Sequence, residues 1–245
     1  MTLDSPCRES EILETLRRKP ALRAWYGEMY DRYAEVMARC PAQGLTLEIG
    51  SGAGFARERL SDLITSDLIA YPGVDRVVDA RALPFSDGEL RFVGLLNVFH
   101  HIADAERFLS EVERCLRPGG RLLVIDQHPG LFAKPILRRL HHEHFDAEAA
   151  EWRFDSSGPL SGANGALAWI VFCRDRARFE TRCAGLELVR YETHSPLRYW
   201  LAGGLKSWSL LPGWAFGAAT QLDRALTWLT PELGSFCAIE VLRRQ

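Results

Sequence analysis

The chain is expected to fold as an α/β domain built on a doubly wound, mostly parallel sheet. Three observations predict this. Short apolar runs alternate with helical periodicity between residues 44 and 127, the rhythm of parallel strands joined by crossovers. The runs 90–99 and 122–126 are apolar without alternation, as in strands covered on both faces. The run 45–49 stops at three alternating glycines, Gly50, Gly52 and Gly54. That pattern reads as a strand, a tight turn and a helix opening at Ala53, whose N-terminus would favour a polar or anionic ligand group.

Taken in order, residues 10–39 predict two helices broken near Pro20. The second carries Leu22, Trp25, Tyr26, Met29, Tyr33 and Val36 at helical spacing. It could simply pack on the domain, or act as a lid that brings Trp25, Tyr26, Tyr30 or Tyr33 to a ligand. Strands follow at 45–49, 63–67 and 74–79, with a helix over 53–61. A strand over 90–99, a helix over 103–116, a turn at 117–120 and a strand over 122–126 complete the block. Right-handed crossovers place every strand's C-terminal end on one edge, where such sheets bind ligands. Glu48 to Gly54, Asp67, Asp79, Asn97 and 126–128 all fall there.

Beyond residue 129, the small polar stretch 155–165 could be a substrate loop, with Ser161 and Asn164 as donors, or a plain connector. A helix over 178–183 and strands over 186–193 and 235–242 follow. Between those strands, 195–233 is an insertion with Trp200, Trp208, Trp214 and Trp228. Its uncharged part, 207–222, is too short to span a bilayer, and Pro212 interrupts it. A helix over 214–229 would carry Ala215, Ala218, Leu222, Ala225, Leu226 and Leu229 on one face. Thr220, Asp223, Arg224 and Thr227 fall on the other. The apolar face could pack on the sheet, line an acceptor pocket, or meet a membrane interface or a second copy.

The 245 residues suit a single domain over 1–245, with a core at 40–128, acceptor-side segments at 129–184 and the insertion at 195–233. A net charge of −2 with no basic stripe disfavours nucleic acid. Six scattered cysteines without a C-x-x-C pair, and no apolar leader at the start, fit reduced thiols and a cytoplasmic location.

The glycine turn reads E-x-G-x-G-x-G from Glu48 to Gly54. It resembles motif I of the class I S-adenosylmethionine-dependent methyltransferases. The dinucleotide fingerprint G-x-G-x-x-G would need glycine where Phe55 stands, which disfavours a nicotinamide-dependent oxidoreductase. Asp79-Ala80 followed by Leu83-Pro84-Phe85, then 97–102 and 116–122, resemble successive motifs of the ubiquinone/menaquinone-methyltransferase-like, or methyltransferase type 11, branch. The resemblance covers residues 44–127. It implies a seven-stranded Rossmann-like sheet with an antiparallel last strand. It further implies S-adenosylmethionine as cofactor, with Asp67 on the ribose and Asp79 and Ala80 at the adenine. Gly50, Ser51, Gly52 and Gly54 would hold the methionine moiety, with Glu48 and Asn97 near its amino-acid end. A non-catalytic scaffold that keeps the fold is the alternative.

Methyl transfer to a small or lipid-linked acceptor needs mainly positioning. A base is required only where the acceptor holds its proton near neutral pH, and histidine suits that task. His100 and His101 after the fourth strand, and His128 after the fifth, are the candidates. In the family pattern the position of His101 favours a structural or cofactor-side role. His141, His142 and His144 with Glu143 read as a surface cluster, and no metal site is expected.

Overall fold

In a computed structural model of the chain, residues 8–140, 143–156, 158 and 162–245 are described. Helices α1 (Arg8–Arg18) and α2 (Pro20–Met37) open it, and Pro20 takes the first turn of α2, where a missing N–H costs nothing. Strands β1 (Leu45–Ile49), β2 (Leu63–Asp67), β3 (Arg76–Val77) and β4 (Leu90–Leu96) follow, then α3 (Ala105–Cys115) and β5 (Leu116–Gln127). Helices α4 (Ala133–Arg139), α5 (Leu167–Trp169) and α6 (Arg176–Arg182) precede β6 (Leu186–His194). A π-helical turn, Ile170–Arg174, joins α5 to α6. Helices α7 (Arg198–Leu201) and α8 (Phe216–Leu229) lie between β6 and β7 (Phe236–Arg243).

The seven strands run β3-β2-β1-β4-β5-β7-β6. The first five are parallel, and β7 is antiparallel to both its neighbours. The doubly wound, mostly parallel sheet therefore stands as expected. The turn read at 117–120 is a bulge within β5: Leu90 pairs with Leu116, then Phe92 with Arg121.

The helix expected over 53–61 is only a 3-10 turn, Phe55–Glu58. Gly54, in the left-handed region at φ 65°, breaks the backbone just before it. The strand expected over 74–79 shrinks to Arg76–Val77. Helix α2 covers the sheet face that a β1–β2 helix would share: Trp25, Met29, Tyr30 and Tyr33 pack with Phe55, Ala56, Leu63, Phe92 and Ile125. Its long apolar stripe is thus mostly core. The opposite face is covered by α3, the π turn and α6, through Phe108, Leu109, Val112, Phe172 and Phe179.

Helix α8 lies the other way round from a greasy helix packed on a sheet. Its buried residues are Thr220 and Asp223. Arg198 explains this. It sits buried at the start of α7, with its guanidinium 2.7 Å from Thr220 Oγ1, 3.2 Å from Asp223 Oδ2 and 2.6 Å from Glu28 Oε2. Asp223 also accepts from the amides of Leu197 and Arg198. The apolar side faces outward: Trp214 and Trp228 are 89% and 85% exposed, and Leu222 and Leu229 are exposed as well. No helix among the described residues is long and apolar enough to cross a membrane. Cys40, Cys115, Cys173, Cys183 and Cys237 are free thiols.

Candidate active site

A cavity of about 840 Å³ opens along the carboxyl edge of the parallel strands. Its floor is Glu48, Gly50, Ser51, Gly52, Asp67, Asp79, Ala80 and Asn97, joined by His100 and His101. Its roof comes from elsewhere in the chain: Ile12 and Leu16 of α1, Tyr26 and Tyr30 of α2, Tyr199, Trp200, Leu205 and Trp208 of the insertion, and Ile136 and Leu140 at α4. Trp25 and Tyr33, the other two aromatics considered for a lid, are core residues.

The glycine turn is tied to β2 by serines. Ser51 N–H donates to Ser66 O at 2.8 Å, and Ser66 Oγ donates to Glu48 O at 2.7 Å. Its glycines do different jobs. A Cβ on Gly52 would meet only Ile12 Cδ1, at 4.0 Å, so this residue presents bare backbone to the cavity. A Cβ on Gly50 would collide with Val98, and one on Gly54 would lie 2.6 Å from Gly73 O. Gly54 is not on the cavity wall, and its place is fixed by the β2–β3 loop passing over it. Gly54 thus shapes the turn whose other residues, Gly50, Ser51 and Gly52, border the cavity.

Glu48 is 1% exposed. Tyr30 and Ser51 hydrogen-bond to its carboxyl group, yet its Oε2 meets no partner among the described residues. Burial pushes this carboxyl up to about 7, against those two hydrogen bonds, with Asp67 adding a smaller push in the same direction. Asn97 Oδ1 is likewise buried without a partner. Asn97 takes φ +58°, a conformation asparagine tolerates better than most residues, and turns the chain at the end of β4. Two unpartnered oxygens on one wall form a socket for a donor.

Asp67 accepts from Gly52 N–H at 2.9 Å and Ile69 N–H at 3.0 Å. Asp79 is gripped by Arg81, with Nε at 3.0 Å and Nη2 at 2.9 Å. That guanidinium holds its carboxyl below the usual range.

His100 and His101 lie side by side on the 3-10 turn Phe99–His101, ring centroids 4.2 Å apart. His100 Nδ1 donates to Asp126 Oδ1 at 2.6 Å and His101 Nδ1 to Gly162 O at 3.1 Å. Both Nε2 atoms turn toward Glu143, at 3.2 and 3.5 Å. Burial alone would lower His100, but Asp126 and then Glu143 outweigh it and carry the imidazolium up to about 10. His100, with a carboxylate against each ring nitrogen, does not stand ready as a free base.

His128 departs from the sequence expectation. It is buried off the cavity, bonded through Nδ1 to Tyr191 Oη at 2.9 Å, and burial lowers it to about 4. Asn164 is structural too: its side chain clasps Asp146 and the Ala166 amide. Ser161, His141 and His142 lie outside the described residues. Sequence reasoning missed Glu143 as a partner of the two histidines, since nothing in its spacing ties residue 143 to residue 100. It also missed Gln127, whose Nε2 lies 3.5 Å from Glu143 Oε2.

Known proteins resemble the segment that carries this edge. Residues 47–124, from β1 through most of β5, match the family described as "Methyltransferase domain". A phthiotriol/phenolphthiotriol dimycocerosates methyltransferase of Mycobacterium ulcerans is 38% identical over 141 residues, 52% of this chain and 49% of that one. A ubiquinone/menaquinone biosynthesis C-methyltransferase of Desulfotalea psychrophila is 28% identical over 122 residues, 42% and 49% of the two chains. A demethylmenaquinone methyltransferase of Thermus thermophilus is 47% identical over 51 residues, 21% and 23%. The chain spans about half the length of the curated relatives it matches, or less. The matched segment carries the cavity floor, whereas the roof lies outside it.

Proposed function

We propose that the chain is an S-adenosylmethionine-dependent methyltransferase that moves a methyl group to oxygen, nitrogen or carbon of a small or lipid-linked acceptor by in-line displacement. The observation that carries this reading is the pair of buried, unpartnered acceptors, Glu48 Oε2 and Asn97 Oδ1, on the wall that includes the bare backbone of Gly52. The amino-acid end of the cofactor fits them: an ammonium offers three donors and the charge that a buried carboxylate lacks. Asp67 and Asp79, on the same wall, have the acceptor character suited to ribose hydroxyls and an exocyclic amine.

When bound, the cofactor supplies a methyl group on a sulfonium. The chain's own contribution is positioning and exclusion of water. Displacement with a neutral leaving group calls for no acid, and holding the reactants about 3–3.5 Å apart can supply much of the rate. Tyr26, Tyr199 and Trp200 line the cavity, where they would screen the reacting centre from bulk water. Ile136, Leu140, Leu205 and Trp208 give the other wall an apolar lining, which supports an acceptor with an apolar body. The names of the relatives, for ubiquinone/menaquinone and for phthiotriol dimycocerosates, support an acceptor of that kind. A cytoplasmic location, with contact at the inner membrane face through 195–233, belongs to the same reading.

Calorimetry with S-adenosylmethionine on the wild type and on Gly52→Val tests this directly. The wild type should bind and the variant should lose binding, because the added branch projects into the cavity from a backbone at φ +54° that valine tolerates poorly; circular dichroism on the variant separates loss of the site from loss of the fold. Equal binding by both would contradict the reading. Transfer of labelled methyl to an acceptor in lipid extracts separates an enzyme from a scaffold that merely binds.

A further inference from the structure

The geometry points to a divalent transition-metal site formed by His100 Nε2, His101 Nε2 and the Glu143 carboxylate on the wall of the cavity. The inference rests on the methyltransferase reading only for its chemical role, not for its existence. Candidate ligand atoms of the three side chains all lie within 4.8 Å of one another. The two nitrogens lie 3.2 and 3.5 Å from the nearest Glu143 oxygens. Four-coordinate zinc with bonds of about 2.0–2.1 Å sets its ligand atoms roughly 3.3–3.4 Å apart. The two nitrogen-to-oxygen spacings, to Glu143 Oε2 and Oε1, lie close to that value.

Donor accounting makes the same point independently. Asp126 and the Gly162 carbonyl are acceptors, so each Nδ1 carries its proton outward, away from Glu143. In a neutral ring the Nε2 lone pair then points at the Glu143 carboxylate, which also brings lone pairs. Something positive must lie between. Two extra protons would make two adjacent imidazolium rings with centroids 4.2 Å apart, an arrangement of like charges. One divalent cation supplies the same charge at one point. The surroundings match what metal-bound histidines usually have: an acceptor on the remote N–H, here a carboxylate for one ring and a backbone carbonyl for the other. Gln127 Nε2, near Glu143 Oε2, completes the support.

The three ligands all border the cavity, so the fourth position opens toward the acceptor. An acceptor oxygen taken up there would lose its proton more readily, as an oxygen on a Lewis acid does. With His100 and His101 committed as ligands, such a site takes the place of a general base. It selects acceptors whose nucleophile is, or adjoins, a hydroxyl or enol oxygen.

The experiment is titration of chelator-treated protein with cobalt(II). The account expects one equivalent bound, with the intense visible bands of a tetrahedral or five-coordinate site. Proton spectra of the cobalt form should show two strongly shifted, solvent-exchangeable imidazole N–H signals, one for each bonded Nδ1–H. Glu143→Gln and His101→Ala should each weaken cobalt binding at least tenfold. Calorimetric affinity for S-adenosylmethionine should survive both changes, because Glu48, Gly52 and Asn97 are untouched. No cobalt uptake by the wild type, or uptake with a pale octahedral spectrum and no shifted N–H pair, overturns the site. Should a variant fail to fold, the wild-type spectra alone decide. Cobalt binding without cofactor binding would sink the methyltransferase reading and spare the metal site. The reverse result would do the opposite.

Discussion

At the scale of single residues, Glu48 combines a stability cost with the ligand role proposed for it. Its carboxyl rises from 4.5 to about 7 on folding, chiefly through burial. A carboxyl raised in the folded state contributes stability that is complete below pH 4.5 and is lost as pH climbs through about 7. The loss is of order 3 kcal/mol at most. Glu48→Gln should therefore raise the Tm of the cofactor-free protein at pH 8 relative to wild type and leave it nearly unchanged at pH 5. Thermal melts at the two pH values check this, and a Tm difference independent of pH would contradict it. The same residue shows how much was legible in advance. Its place two positions before Gly50 was readable from the motif. Its unpartnered oxygen was not, because that depends on which side chains α2 brings over the edge.

Histidines teach a similar lesson. A position after a strand placed His100, His101 and His128 on one sheet edge, but not on one wall. His128 turns toward Tyr191, and only the other two reach the cavity. Glu143 has no periodic relation to either and becomes their neighbour only through the tertiary fold.

At the scale of elements, strands were the most legible. Apolar runs bounded by glycine or acid fix β1 and β2 to the residue, since a buried strand leaves little freedom at its ends. Helices carried by four or five periodic residues were not. The stretch 53–61 had the right spacing, yet Gly54 and a short crossover leave only one turn there. Arg59 and Glu58 instead pair with Asp31 and Arg23 of α2.

Helix α8 shows what periodicity omits. Spacing separated two faces correctly but could not say which one turns inward. Buried Arg198 decides it by drawing in Thr220 and Asp223. Asp223→Ala should then cost roughly 3 kcal/mol, the low end for breaking a buried pair, because Glu28 still faces Arg198. Trp228→Ser should stay within about 0.5 kcal/mol; urea denaturation measures both. A destabilising Trp228→Ser with a harmless Asp223→Ala would reverse the assignment.

The outward tryptophans and leucines suit the interface of a neutral bilayer, since basic residues are few in 195–233. Wild-type protein should co-sediment with zwitterionic vesicles, and Trp214→Ser/Trp228→Ser should not. A concentration-dependent dimer without vesicle binding would assign the face to a second copy.

At the scale of the whole molecule, floor and roof of the cavity have different origins. The floor comes from the recognisable core, where backbone geometry is constrained by the sheet. The roof comes from the N-terminal helices, α4 and the insertion, which follow no shared pattern and were open in the sequence.

The central claim is that Glu48 receives the ammonium of S-adenosylmethionine in that cavity. Calorimetric affinity for the cofactor at pH 6 and pH 7.5 tests it most directly. A carboxyl near 7 must ionise to pair with the ammonium, so wild-type affinity should rise several-fold between these values, with proton release. Glu48→Gln should bind more weakly and show no such rise. Equal affinity at both pH values, or a variant that binds as well as wild type, would contradict the account.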